Sequence, residues 1–145
     1  MVRSTVPGPV AVPRAVTLLL ARADAELAAA HAAGEPAERF VHAHLAALRA
    51  AAALVALRNV AAPRGRTASV WVLVERAEPG LAAWSSYFAD GARLRAAVDA
   101  GRFDAVDPAR ADELVRCAED FRDEVAVLVD PAASFAGVHV TRQAS

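Results

Sequence analysis

The chain has 145 residues, a formal net charge of −1 and a hydrophobic fraction of 56%, much of it alanine. That length sets one domain, able to bury about two-thirds of its unfolded surface without disulfide or metal support. The near-zero charge excludes a global pull on nucleic acid, and a single cysteine, Cys117, excludes an internal disulfide. Alanine is the best helix former, and aromatic residues make up only 6% of the chain, so an all-α fold is expected. The apolar run at residues 15–20 is too short to span a bilayer. The proline-rich start does not read as a signal peptide. The expectation is a cytoplasmic protein without membrane contact.

Residues 1–12 carry Pro7, Gly8 and Pro9 and read as a disordered tail. A helical domain is expected over residues 13–130, followed by a flexible tail over 131–145. The first helix opens at Pro13. Val16, Leu19, Leu20, Ala23, Leu27 and Ala30 follow its i, i+3, i+4 spacing. Gly34 is its expected C-cap.

Pro36 opens the second helix. Its apolar stripe is read as Val41, Leu45, Leu48, Ala52 and Val55, widened by Phe40, Ala47, Ala51 and Leu54. So alanine-rich a helix lets neighbours approach closely, which puts it at the centre of the bundle. It ends near Arg58 or Asn59, and a Pro/Gly/Arg loop follows. Thr67 or Ser69 caps a third helix with Val70, Leu73, Val74 and Ala77 on its core face.

Pro79-Gly80 interrupts the third helix, as either a kink or a short break. Helix resumes through Leu81, Trp84, Ser85, Phe88 and Leu94 to a stop at Gly101. Trp71 and Trp84 are the largest apolar anchors. Asp107-Pro108 combines a capping side chain with proline at the first helical position. Leu114, Ala118, Phe121, Val125 and Leu128 then repeat at bundle spacing until Pro131. Cys117 falls within this pattern and reads as a small buried hydrophobe. The sum is an up-down bundle of four to five helices.

Charge is uneven along the chain. Between Glu35 and Arg66 stand two acids and five arginines, a balance of +3. Between Asp107 and Asp130 stand eight acids and three arginines, a balance of −5. One reading is a pair of solvated or mutually attracting faces. The other is a basic patch, Arg39 to Arg66, for an anionic ligand, in which Arg49, Arg58, Arg64 and Arg66 contact RNA or a partner.

Standard catalytic signals are missing from the sequence. There is no glycine-rich phosphate loop, metal-spaced Cys/His cluster or serine nucleophile elbow, so no metal or cofactor is expected. His42 and His44 point about 200° apart on a helix and cannot share a metal. The remaining candidate pair is Arg39 and His44, spaced Arg-x4-His. Histidine moves a proton near neutral pH, and arginine holds a phosphate bidentately, which together suit RNA cleavage. On a regular helix the two lie about 140° apart, so they do not share a face. The competing reading makes His44 a core-edge residue hydrogen-bonded to a neighbouring helix. Glu35 with Arg39 and Glu38 with His42 have the spacing of ordinary helix ion pairs.

Glu38-Arg39 and the run Ala43-His44-Leu45-Ala46-Ala47-Leu48-Arg49-Ala50-Ala51-Ala52 resemble the signature helix of a small actinobacterial branch of the HEPN superfamily. Two more blocks agree with it. Ser69-Val70-Trp71 leads to Pro79, Trp84 and Tyr87-Phe88-Ala89-Asp90-Gly91-Ala92, and Ala111-Asp112-Glu113-Leu114 lies in the last helix. The resemblance covers roughly residues 14–129. It implies a HEPN-like bundle of four to five helices. Active superfamily members are metal-independent ribonucleases whose Arg-x4-6-His motifs meet across a homodimer, and here Arg39 and His44 fit that pattern. Many active members carry Asn, Asp or His after the arginine, where this chain has Phe40. Other members are non-catalytic RNA- or protein-binding modules. The resemblance therefore leaves two expected functions, a non-catalytic binding module and a metal-independent endoribonuclease acting as a homodimer.

Overall fold

A computed structural model describes residues 11–61 and 69–132. The described residues form five α-helices: α1 (Arg14–Ala32), α2 (Pro36–Arg58), α3 (Val70–Ala77), α4 (Ala82–Asp99) and α5 (Pro108–Val129). Short 3₁₀ turns at Pro79–Leu81 and Phe103–Ala105 join α3 to α4 and α4 to α5. No strand occurs among these residues. The fold is thus the all-α bundle that the periodicity predicts. The two expected tails fall largely outside the described residues.

The helix boundaries follow local chemistry. Pro36 and Pro108 sit at first helical positions, where a missing N–H is harmless. Asp107 caps α5 by accepting from the Arg110 amide at 2.8 Å. Of the two cap candidates for α3, Ser69 does the work, its Oγ accepting from the Trp71 amide at 3.1 Å; Thr67 lies outside the described residues. Asn59 ends α2 in the left-handed region, φ 51°, which asparagine tolerates better than most residues. Gly34 is a correction. The first helix ends instead on Ala33 in extended backbone, φ −71° and ψ 128°, and no left-handed glycine is needed there.

The four long helices alternate in direction. His31 with Glu119 and Asp24 with Arg122 clamp α1 antiparallel to α5. A short connection turns α1 back into α2, so α2 and α5 run side by side in the same sense. Arg122 Nη2 donates to Asp24 Oδ2 at 2.9 Å, and the Nε to Oδ1 distance of this ion pair is 2.7 Å. Helix α2 is central, packing mainly on α1 and α5 and also on α3 and α4. Ten of its residues are buried, seven of them alanine.

The buried centre of α2 differs from the expected stripe. Phe40, Ala43, Ala46, Ala47, Ala50, Ala51, Ala53 and Leu54 are buried, whereas Val41, Leu45, Leu48, Ala52 and Val55 are only half-buried. Where helices press closest there is room only for a methyl group, so the longer side chains move to the flanks. Length and a mean hydropathy of 1.7 would equally suit a membrane span, but here half of that stretch is buried against neighbouring helices. An aromatic knot completes the core. Trp71 stacks on Phe88 at 5.0 Å, and Phe88 meets Phe121 at 5.3 Å. Such pairs add about 0.5–1.5 kcal/mol each beyond their burial. Trp84 is half-buried and donates its indole N–H to Glu124. Cys117 is half-buried too, rather than fully enclosed as expected, because it lies towards Tyr87 at the edge of α5.

Candidate functional site

The first two turns of α2 position both members of the Arg-x4-His pair. Arg39 leans away from His44 towards α5. Its Nη1 donates to Asp112 Oδ1 at 2.6 Å and its Nη2 to the Ala33 carbonyl at 3.3 Å. One side chain therefore ties the α1–α2 connection to the first turn of α5. The pair is partly solvated, with Arg39 23% and Asp112 53% exposed. The expected Glu35–Arg39 side-chain pair is not made among the described residues. Glu35 precedes the helix in extended backbone, and its carbonyl accepts the Arg39 amide at 3.0 Å. The Glu38–His42 contact exists but is long, 4.0 Å; the His42 Nδ1–H donates instead to Glu26 on α1 at 2.8 Å.

His44 points the other way, into the α2–α4 interface. It is 2% exposed. Its Nε2–H donates to the Phe88 carbonyl at 3.0 Å, and its ring lies nearly parallel to that of Phe40. Gly91 faces the ring, and a Cβ there would stand 3.4 Å from His44 Cδ2, in van der Waals contact. With Nε2 carrying the proton, Nδ1 keeps a bare lone pair that is buried and finds no partner among the described residues. Burial holds the imidazole below its ordinary pKa. The Phe88 bond and Asp99 oppose that shift, while Arg95 and Arg110 reinforce it. No hydrogen bond or ion pair joins Arg39 to His44 among the described residues; they serve opposite sides of α2.

The other predicted basic residues are dispersed. Arg49 is half-buried on α2, and Arg58 pairs with Glu78 at 3.5 Å. Arg64 and Arg66 lie outside the described residues. Among the described residues no group of three or more His, Cys, Asp or Glu side chains is placed to hold a metal.

The structure adds residues that sequence reasoning passed over. Arg110 lies over the rings of Phe40 and Tyr87, at 5.3 and 5.1 Å, and its Nη1 donates to the Tyr87 hydroxyl at 2.7 Å. Tyr87 donates in turn to Glu113 at 2.8 Å. Burial, aided by hydrogen bonds with Cys117 and Glu113, raises the Tyr87 pKa above its ordinary value. A signal for Arg110 was present in the sequence. A cation in the first turn of a helix opposes the macrodipole, so it needs a compensating tertiary partner.

Two surface depressions flank these groups. A groove of about 490 Å³ runs between α2, α4 and the start of α3, with His44, Trp71, Ser69, Arg95 and Asp99 among its lining residues. Arg95 and Asp99, one turn apart on α4, form a loose pair along its wall at 3.6 Å. A cleft of about 520 Å³ opens between the start of α2, the end of α4 and the 103–105 turn. Ala37, Val41, Val98 and Val106 form its apolar floor, with Phe103 and the carboxylates of Glu35 and Glu38 around it.

The five described helices, with no strand among them, are consistent with an all-α HEPN-like bundle. The chain belongs to the HEPN_SAV_6107-like HEPN family, whose model matches residues 29–126, about two-thirds of its length. No curated protein and no solved structure matches the chain.

Proposed function

We propose that this HEPN-type domain is a non-catalytic binding module whose partner is a protein. The observation that carries this reading is the commitment of Arg39 and His44 to separate structural contacts. Arg39 is held by Asp112, and the only protonated nitrogen of neutral His44 is held by the Phe88 carbonyl. A general acid or base needs a titratable nitrogen within reach of substrate, but the free Nδ1 of His44 is itself buried, and burial disfavours the charged imidazole. The partner class rests on the surface. Described arginines are scattered or paired, whereas the 520 Å³ cleft is mostly apolar, the character of a recognition pocket.

The direct test incubates purified full chain with mixed single-stranded RNA, with and without EDTA. Wild type and His44→Ala are expected to give the same background cleavage. Cleavage that survives EDTA and is lost in His44→Ala would overturn the proposal in favour of an endoribonuclease using Arg39 and His44 across a homodimer. Binding without cleavage is the second measurement. RNA affinity that falls steeply with added salt would assign the partner class to RNA through Arg49, Arg58, Arg64 and Arg66. Weak RNA binding at physiological salt is the expected outcome. Sedimentation of the same samples reads self-association.

A further inference from the structure

The cleft at the start of α2 has a composition that specifies its occupant. Its floor comes from three segments far apart in the chain: Ala37 and Val41 on α2, Val98 on α4, and Val106 before α5. At its edge stands Phe103, 68% exposed and the most exposed of the large hydrophobic residues described. Such a ring leaves apolar surface in water that a partner could bury.

The backbone that carries the ring is also held in place. Gly101 takes φ +94°, the left-handed conformation that lets the chain reverse after α4. The Arg102 amide donates to the Ala97 carbonyl at 2.9 Å, and the Phe103 amide to the Gly101 carbonyl at 3.1 Å. The Ala105 amide closes the turn on the Arg102 carbonyl at 3.2 Å. An exposed aromatic on a hydrogen-bonded turn is a preorganised anchor, which lowers the ordering cost of binding.

Charge settles the kind of partner. Glu35 makes no ion pair among the described residues, and Glu38 has only its 4.0 Å contact with His42. Both carboxylates border an apolar floor. A second copy docking here about a two-fold axis would gather the carboxylates of both copies at one interface, and like charges gathered there oppose association. We propose that this cleft binds a peptide segment of a partner protein in which apolar side chains are bracketed by arginine or lysine. The apolar side chains fill the floor beside Phe103, and the basic ones reach Glu35 and Glu38. This inference rests on the protein-binding reading above and adds the site and the partner chemistry.

The experiment pans a random peptide library against the full chain, with counter-selection on a Phe103→Ser/Glu38→Arg double variant. Both positions are exposed, and circular dichroism checks that the variants fold. Enriched sequences are expected to pair apolar residues with flanking Arg or Lys. A synthetic peptide of the enriched sequence should bind wild type and weaken about tenfold or more in either single variant. Its affinity should be unchanged by Val127→Ser, beside a separate depression. Peptides without basic residues, or peptides insensitive to Phe103→Ser, would overturn the site while leaving a protein-binding module intact. No enrichment over the double variant overturns the inference outright. A dimer that Phe103→Ser abolishes would make a second copy the occupant and overturn it as well. Failure of the broader reading shows elsewhere, as RNA cleavage or salt-sensitive RNA binding.

Discussion

His44 sits where two roles for histidine compete. Its ring fills space between Phe40 and Gly91, and its one N–H satisfies the Phe88 carbonyl at a helix interface. Protonation would bring a charge into a buried site already facing Arg95 and Arg110, and burial outweighs the opposing Phe88 carbonyl and Asp99. The folded state therefore resists a proton that the unfolded chain accepts near pH 6.5. Unfolded protein binds more protons as pH falls through that value, so stability declines on acidification, with a slope of up to about 1.4 kcal/mol per pH unit. Urea melts between pH 7.5 and 5 should show this loss, and His44→Gln should flatten it while keeping a donor for Phe88. Both readings of His44 could be drawn from the sequence, and the contact with α4 matches the hydrogen-bonded core-edge one. The partner of Arg39 could not be foreseen. Asp112 is 73 residues away, and the nearer candidate Glu35 is removed by the extended backbone before Pro36.

At the scale of elements, the helix starts were legible because each depends on neighbours in sequence. Pro36, Ser69 and Asp107-Pro108 act within one turn of themselves. Asp107→Ala removes the acceptor for the Arg110 amide and should lower stability by about 1 kcal/mol. It should also loosen Arg110 from Phe40 and Tyr87, a change that tyrosine fluorescence can follow. The stripe on α2 was harder to read. Periodicity weights large side chains, so Val41, Leu48 and Val55 looked central, yet the closest helix contacts run along Ala43, Ala46, Ala47, Ala50 and Ala51. Which face is pressed tightest depends on where α1 and α5 come to rest. The clefts were invisible for the same reason, since Val41, Val98 and Val106 converge only in the folded chain.

Among the described residues one continuous cluster links all five helices, with Trp71 buried in it and Trp84 packed against it. A single core of this kind predicts one cooperative transition. Denaturant curves followed by tryptophan fluorescence and by far-ultraviolet circular dichroism should coincide. Phe121, fully buried against Trp71, Trp84 and Phe88, should be a sensitive position. Phe121→Ala is expected to remove about 3–5 kcal/mol, read as a lower urea midpoint at unchanged slope. The charge asymmetry also resolves at this scale. Basic α2 and acidic α5 run side by side, and Arg39 with Asp112 joins their first turns. Some of the apparent basic patch is thus internal complementarity. The alanine seam of α2 has one more consequence, for how the protein tolerates change. Its buried methyl groups can mutate almost only to something larger or to glycine. Conventional alanine scanning would pass silently over much of the bundle's central helix. Only a scan with bulkier residues would reveal it as the least forgiving stretch of the chain.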